Sequence, residues 1–301
     1  MNPKALRWFL GLLGAVMVMT WSFNYIAVKI ALEHFDPVTL VSFRLVVAGF
    51  VCSLVLLLMG RRVRLGWQDV GTFVMLGVFG VAINQGGFTV SLAYTSVGHV
   101  AIILAMGPVL VMLLARIIGQ ETLTPGKIAG VCLSFSGIAL LAIEQGLSVH
   151  AGGLVGDLIA LTAACAFAFF TVSSKRVAGR YHPMEFNTFI HLTGAMLLLP
   201  LAIHQGLKLN WHGVGWHGWV ALSYMAVFSS VFGYLIFYTL LNHLPATQIS
   251  SLNYLLPIVA TTLSVLILKE QLRRGFYVAA ALVLTGVWLT QRSHWQIPPA
   301  D

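Results

Sequence analysis

The sequence predicts an all-α polytopic membrane protein whose ten transmembrane helices form two inverted five-helix repeats. Three observations lead there. Of 301 residues 58% are apolar and only 9% charged, with a mean hydropathy of +0.90. The apolar residues gather into stretches long enough to cross a bilayer, and the chain resembles itself at a fixed offset.

The composition excludes a water-soluble domain, which needs far more Lys, Arg, Asp and Glu to coat its surface. A net charge of +8 and a pI near 9.7 raise nucleic acid as a partner. Lys and Arg are scattered in twos and threes beside apolar spans, so the positive-inside bias accounts for them better, and no nucleic-acid binding is expected. Cys52, Cys132 and Cys165 lie within apolar segments without ligand-like spacing and read as packing residues.

The apolar stretches run at about 8–32, 38–59, 69–93, 98–118, 127–144, 153–174, 186–206, 216–240, 246–268 and 275–291. At about 1.5 Å per residue most of these cross a hydrocarbon core about 30 Å thick, the fifth and tenth being short. Unbroken apolar runs lack the alternation of barrel strands, so the spans are helices. The first follows Lys4 and Arg7 as a signal peptide would, but it is long and lacks a small-x-small cleavage site; it is expected to be retained.

With the N-terminus inside, eleven of the 17 Lys and Arg fall on the cytoplasmic side, five fall outside, and Arg44 lies within the second span. Both termini therefore read as cytoplasmic, with residues 292–301 a cytoplasmic tail. The basic turn from Lys269 to Arg274 runs against this count.

An offset of 149 residues aligns Pro108 with Pro257, Glu121 with Glu270, Leu123 with Leu272 and Gly137 with Gly286. GPVLVMLLARIIGQETL and LPIVATTLSVLILKEQL share both apolar pattern and polar end. The halves, 8–144 and 153–291, thus read as copies of one five-helix unit. Five is odd, so the copies face opposite ways, an arrangement that secondary transporters use to exchange inward-open and outward-open states. It also places the basic turn outside by descent.

These residues resemble the ten-helix EamA branch of the drug/metabolite transporter superfamily over about 10–291. The matching pieces are WSFNYIAVK at Trp21 to Lys29, the R-x-x-x-A of Arg44 to Ala48, LAYTSVGHVA at Leu92 to Ala101, the paired P…E-x-L…G blocks, and GDLIALTAACAFAFFTVSSKR at Gly156 to Arg176. The resemblance implies two pseudo-symmetric bundles around a central cavity, with export of amino acids or related metabolites a common activity. It specifies fold better than substrate.

Polar groups inside a bilayer are costly, so those sharing one helical face are candidates for a cavity lining. Trp21, Asn24 and Tyr25 share a stripe of the first span, either as a substrate wall or as interhelical glue. In the ninth span Ser250, Asn253, Tyr254, Pro257, Thr261 and Ser264 fall on one face. Pro257 frees the carbonyl of Asn253 and Pro108 that of Leu104, so a kink is expected at each. Asn84 and Gln85 in the third span and Tyr234 in the eighth approach the same region from the two halves, whereas Tyr238 suits an interface anchor. His191, one turn after Asn187, is either a proton-sensitive group or bonded to a neighbouring helix. Lys29 and Arg44 are cations within apolar spans that read as members of structural ion pairs, with Glu33, four residues after Lys29, the local partner and Asp36 another; Lys29 or Arg44 meeting a substrate carboxylate is the alternative. Ala160, Ala164 and Ala168 form a small-residue packing stripe.

No carboxylate falls mid-span, so no buried proton relay is visible, and no phosphate-gripping loop, H-E-x-x-H pair or G-x-S-x-G turn occurs. His204, His212 and His217 match no metal signature, so neither metal nor cofactor is expected. The reading is a secondary transporter rather than an enzyme. It moves a small neutral or zwitterionic metabolite, amino acids first, across an inner membrane by alternating access, with that metabolite and the lipid bilayer as partners. A non-transporting sensor or subunit and an intramembrane enzyme are the other classes; substrate identity, coupling ion and oligomeric state are not legible.

Overall fold

A computed structural model describes residues 2–61, 65–95, 100, 103–145, 153–268 and 274–292. The turn at 269–273, with Glu270 and Leu272, and the tail from 293 onward lie outside them, as do the side chains of Glu144, Ser264 and Arg274.

The described residues are helical from end to end, with no strand among them. The helices are α1 (Pro3–Leu32), α2 (Pro37–Leu58), α3 (Trp67–Ser91), α4 (Ile103–Ile117), α5 (Pro125–Gln145), α6 (Gly153–Ala178), α7 (Pro183–Lys208), α8 (Trp216–His243), α9 (246–268) and α10 (Arg274–Arg292). Six of them, α1, α2, α3, α6, α7 and α8, are long and apolar enough to cross a membrane, and Ile103–Ile117 and Pro125–Leu140 are shorter apolar helices.

Local chemistry sets the ends. Proline opens α1, α2, α5 and α7, where its missing N–H costs nothing. Asp36 caps α2 by accepting from the N–H groups of Val38 and Thr39 at 3.1 and 3.0 Å. At the start of α7, His182 Nδ1 accepts from Met184 N while Glu185 Oε2 accepts from His182 N, both at 3.2 Å. Helices α2 and α4 stop at Gly60 and Gly119, whose φ of 64° and 74° is a left-handed conformation that favours glycine.

Four helices are irregular at mid-length. Helix α3 widens to a π-helix over Val78–Gln85 and α8 over Met225–Gly233. Helix α9 narrows to a 3₁₀ turn at Leu252–Tyr254 before Leu255–Leu268 resumes, with Pro257 in the first turn. Helix α4 has a turn at Met106 before Pro108. Such departures from α geometry recur at functional sites because they re-aim side chains and free backbone groups.

The surface is apolar, unlike that of a soluble protein, and polar side chains are buried among an apolar core. Phe50, Leu58, Ile117 and Leu207 are exposed, while Ser22, Thr39, Thr171, Ser174, Asn187 and Ser230 are buried. That distribution suits an apolar solvent.

Glycines bring two helix pairs into backbone contact. A Cβ on Gly130 of α5 would lie 2.5 Å from the carbonyl oxygen of Gly286 in α10, and one on Gly137 would lie 2.8 Å from that of Ala279. Between them Ser134 Oγ donates to Val283 O at 3.3 Å. Helices α2 and α7 meet likewise, with Gly49 against Ala195 and the carbonyl of His191, and Thr188 Oγ1 donating to Cys52 O at 3.2 Å. Small residues at helix contacts are how membrane helices gain van der Waals packing without a hydrophobic drive between them.

One end of the bundle collects the charges. Arg180 pairs with Asp69 at 2.9 Å and Arg61 with Glu185 at 3.5 Å. Below them Lys127, 1% exposed, pairs with Glu121 at 2.6 Å. Glu121 also accepts from Thr247 N at 3.0 Å, and Lys175 donates to the carbonyls of Leu241 and Leu244. The turn after α4 is thereby tied to the start of α9, and the end of α6 to the end of α8.

Candidate functional site

A cavity of about 130 Å³ lies in the middle of the bundle, walled by α1, α2, α3, α4, α6, α8 and α9, with Ile138 of α5 at its edge. Pockets for drug-sized ligands run to roughly 300–1,000 Å³, so this one suits something smaller. The mid-helix irregularities converge on it: Asn84 and Gln85 end the π segment of α3, Ser229 and Tyr234 belong to or follow that of α8, and Leu104 with Pro108 and Asn253 with Pro257 flank the breaks in α4 and α9.

The aromatic wall is built around Trp21. Its Nε1 donates to the backbone oxygen of Ser229 at 3.2 Å and its ring lies 5.1 Å from that of Tyr234. A Cβ on Gly233 would lie 2.3 Å from the same Nε1, so only glycine lets the indole close on α8. Tyr25 meets Phe88 edge to face at 5.5 Å.

The polar groups divide into those held and those not. Asn84 Nδ2 donates to Ala163 O at 3.0 Å. Asn24 Oδ1, Asn253 Oδ1, the Tyr254 hydroxyl and both ends of the Gln85 carboxamide have no hydrogen-bond partner in the protein. Gln85 lies beside the Tyr234 hydroxyl without reaching bonding geometry. Buried polar atoms are rarely left so, and here they share one cavity.

Among the described residues, the single charge in the wall is Arg44, 4% exposed. Its Nε donates to Ser230 Oγ and its Nη2 to Ser229 Oγ, both at 3.2 Å. Ser230 passes its own proton to Met225 O at 3.1 Å, five residues back along the π segment, so its oxygen is free to accept from the guanidinium. Among the described residues no Asp or Glu lines the cavity.

Of the residues singled out in the sequence, Trp21, Asn24, Tyr25, Arg44, Asn84, Gln85, Tyr234, Asn253 and Tyr254 line this space, as do Pro108 and Pro257. The others do not. Ser250 is buried away from it and donates to Thr247 O at 3.1 Å. His191 is fully buried behind the wall, its Nδ1 3.1 Å from Asn187 O and its ring 5.3 Å from that of Tyr234. Lys29 and Glu33 are exposed and form no ion pair, and Arg44 pairs with neither, so the expected ion pair is corrected to a guanidinium held by serines. Tyr238 is no interface anchor: it is fully buried, 4.6 Å ring to ring from Phe186. Ser229 was not singled out, because a serine in a helix commonly satisfies itself on its own backbone and gives no periodic signal. Among the described residues no group of His, Cys, Asp and Glu could hold a metal.

Comparison with known proteins places this architecture. An uncharacterised transporter of Synechocystis is 29% identical over 296 residues, covering 93% of this chain and 89% of its own. A "probable amino-acid metabolite efflux pump" of Escherichia coli is 22% identical over 292 residues, covering 93% of each. A crystal structure with 19% sequence identity superposes with a TM-score of 0.79 over 94% of this chain and 98% of that one, which shows the shared fold. The model of the EamA-like transporter family matches twice, at 8–143 and at 154–292. With nearly its whole length covered by that family's model, the chain belongs to the EamA-like transporter family and is a multi-pass membrane transporter.

Proposed function

We propose that this protein carries a small metabolite, an amino acid or related zwitterionic compound, outward across the inner membrane by alternating access around the central cavity. The observation that carries the reading is the cavity itself: a space at mid-bundle whose unpartnered polar atoms come from α1, α3 and α9, that is, from both sequence halves.

Support for an inverted pair of five-helix units, 8–144 and 153–291, comes from which helices touch. Under the 149-residue offset α2 falls on α7 and α5 on α10, and these are the pairs in backbone contact. Gly130 falls on Ala279 and Gly137 on Gly286, so Gly130 against Gly286 and Gly137 against Ala279 is one contact made twice. Ser134 falls on Val283, its own hydrogen-bond acceptor. Such reciprocal contacts are the signature of a two-fold axis. The π segments, 78–85 and 225–233, also fall almost on each other under the same offset. Ten membrane crossings follow in this reading, with each half able to take the other's conformation in turn.

The end rich in Arg61, Lys127, Lys175 and Arg180 is the cytoplasmic one under the positive-inside bias, which puts both termini there. Outward amino-acid movement draws on the name of the Escherichia coli relative. Among the described residues no carboxylate lines the cavity to offer a proton relay, so exchange or facilitation fits as well as proton coupling.

The test is uptake of labelled amino acids, nucleosides and small organic acids into proteoliposomes, with and without a pH gradient. Saturable flux of the amino acids supports the proposal. Flux confined to another class overturns the substrate, and none from folded, inserted protein favours a sensor or subunit.

A further inference from the structure

We propose that Arg44 is the specificity-determining residue of the cavity and reads a substrate carboxylate, so that tight binding requires a free carboxylate. The inference rests on the carrier reading and adds to it the group on which tight binding depends.

Four observations converge. First, among the described residues Arg44 lines the cavity and no acidic side chain does, so their wall carries one uncompensated positive charge. A cation at such depth costs about 2.5–3.5 kcal/mol on insertion scales, which a purely structural contact would not require. Second, two of its N–H groups are fixed on Ser229 and Ser230, at 3.2 Å each, leaving Nη1 without a protein partner. A planar guanidinium held along one edge presents its other edge for a carboxylate. Third, the holders are themselves held. Ser230 donates to Met225 O, and the backbone oxygen of Ser229 accepts from Trp21 Nε1, so the guanidinium is oriented before any ligand arrives. That preorganisation lowers the ordering cost of binding. Fourth, the cavity's unpartnered acceptors, Asn24 Oδ1 and Asn253 Oδ1, would receive donors from the rest of the ligand, as an ammonium supplies.

Lysine could supply the charge but not the arrangement. Its ammonium is a point charge on a flexible stem and cannot bond both serines while keeping a planar edge free.

The test uses purified full-length protein and direct binding, read by thermal shift and by equilibrium binding. The ligands are the twenty common L-amino acids, each beside its amide and its decarboxylated amine. The wild-type protein should bind at least one amino acid and bind its amide and amine 10- to 100-fold more weakly, the range of a charge-assisted hydrogen bond. Arg44→Gln should lose acid binding by that factor and retain the amide, a change of preference that a merely structural role would not produce. Arg44→Lys should recover part of the affinity. If Arg44→Gln does not fold, Ser229→Ala, which loosens the guanidinium without removing it, should weaken acid binding severalfold and leave the amide unchanged. Equal binding of acid and amide by the wild type, or unchanged acid binding in Arg44→Gln, overturns the inference. Binding and flux of amines or nucleosides alone overturn it while leaving a carrier. Absence of flux for every compound, with acids still bound through Arg44, overturns the carrier reading and spares the inference.

Discussion

Arg44 shows how much a single residue can depend on a local irregularity. Its partners are neighbours in sequence, and an α-helix turns successive residues about 100° apart, which separates their side chains. In the wider π segment both hydroxyls reach the same guanidinium. Asn253, at the 3₁₀ turn of α9, offers an acceptor with no protein partner. Asn253→Ala should therefore leave insertion intact and raise the KM for uptake about 2- to 10-fold, the worth of one neutral hydrogen bond; unchanged kinetics would move the site elsewhere. Polar residues in apolar spans are a readable signal, and Asn24, Asn84, Gln85 and Asn253 all line the cavity. Ser250 is buried and donates to Thr247 O at 3.1 Å, satisfying itself on its own helix backbone as helical serines commonly do. His191 was misassigned because periodicity tells which face is polar but not which neighbour it meets.

At the scale of elements, stability rests on contacts that allow no side chain and on one buried ion pair. Gly130→Val would drive a side chain into the backbone of α10 at Gly286 and Thr290. We expect a loss of about 1–3 kcal/mol or more, seen as a lower unfolding temperature in detergent; an unchanged temperature would mean that α5 and α10 are not so close. Glu121→Ala leaves Lys127 buried without its carboxylate and should cost about 3–5 kcal/mol. The double variant Glu121→Leu, Lys127→Met removes both charges and should be more stable than Glu121→Ala alone. If it is less stable, desolvation of the lone ammonium is not what the single change costs. Helix positions and the proline breaks were legible from hydropathy and from Pro108 and Pro257. The π segments were not, because an extra residue per turn leaves no trace in an apolar run.

For the whole molecule, the sequence carried the membrane class in its composition, and a handful of aligned residues support the proposed repeat. What it withheld was the pairing of the copies. The offset aligns Ser134 with Val283 but does not say that the two touch, and it aligns α2 with α7 without saying that they pack together. Those contacts arise from the fold of both halves at once. They also frame the central claim, that one half exchanges conformations with the other around a shared cavity. The direct test is counterflow. Proteoliposomes are loaded with a high concentration of an unlabelled amino acid and diluted into a trace of the same compound carrying label. A carrier that alternates should accumulate label transiently above the outside concentration and then release it as the internal pool empties. Label that only equilibrates would point to a passive pore, and label that never enters would contradict transport.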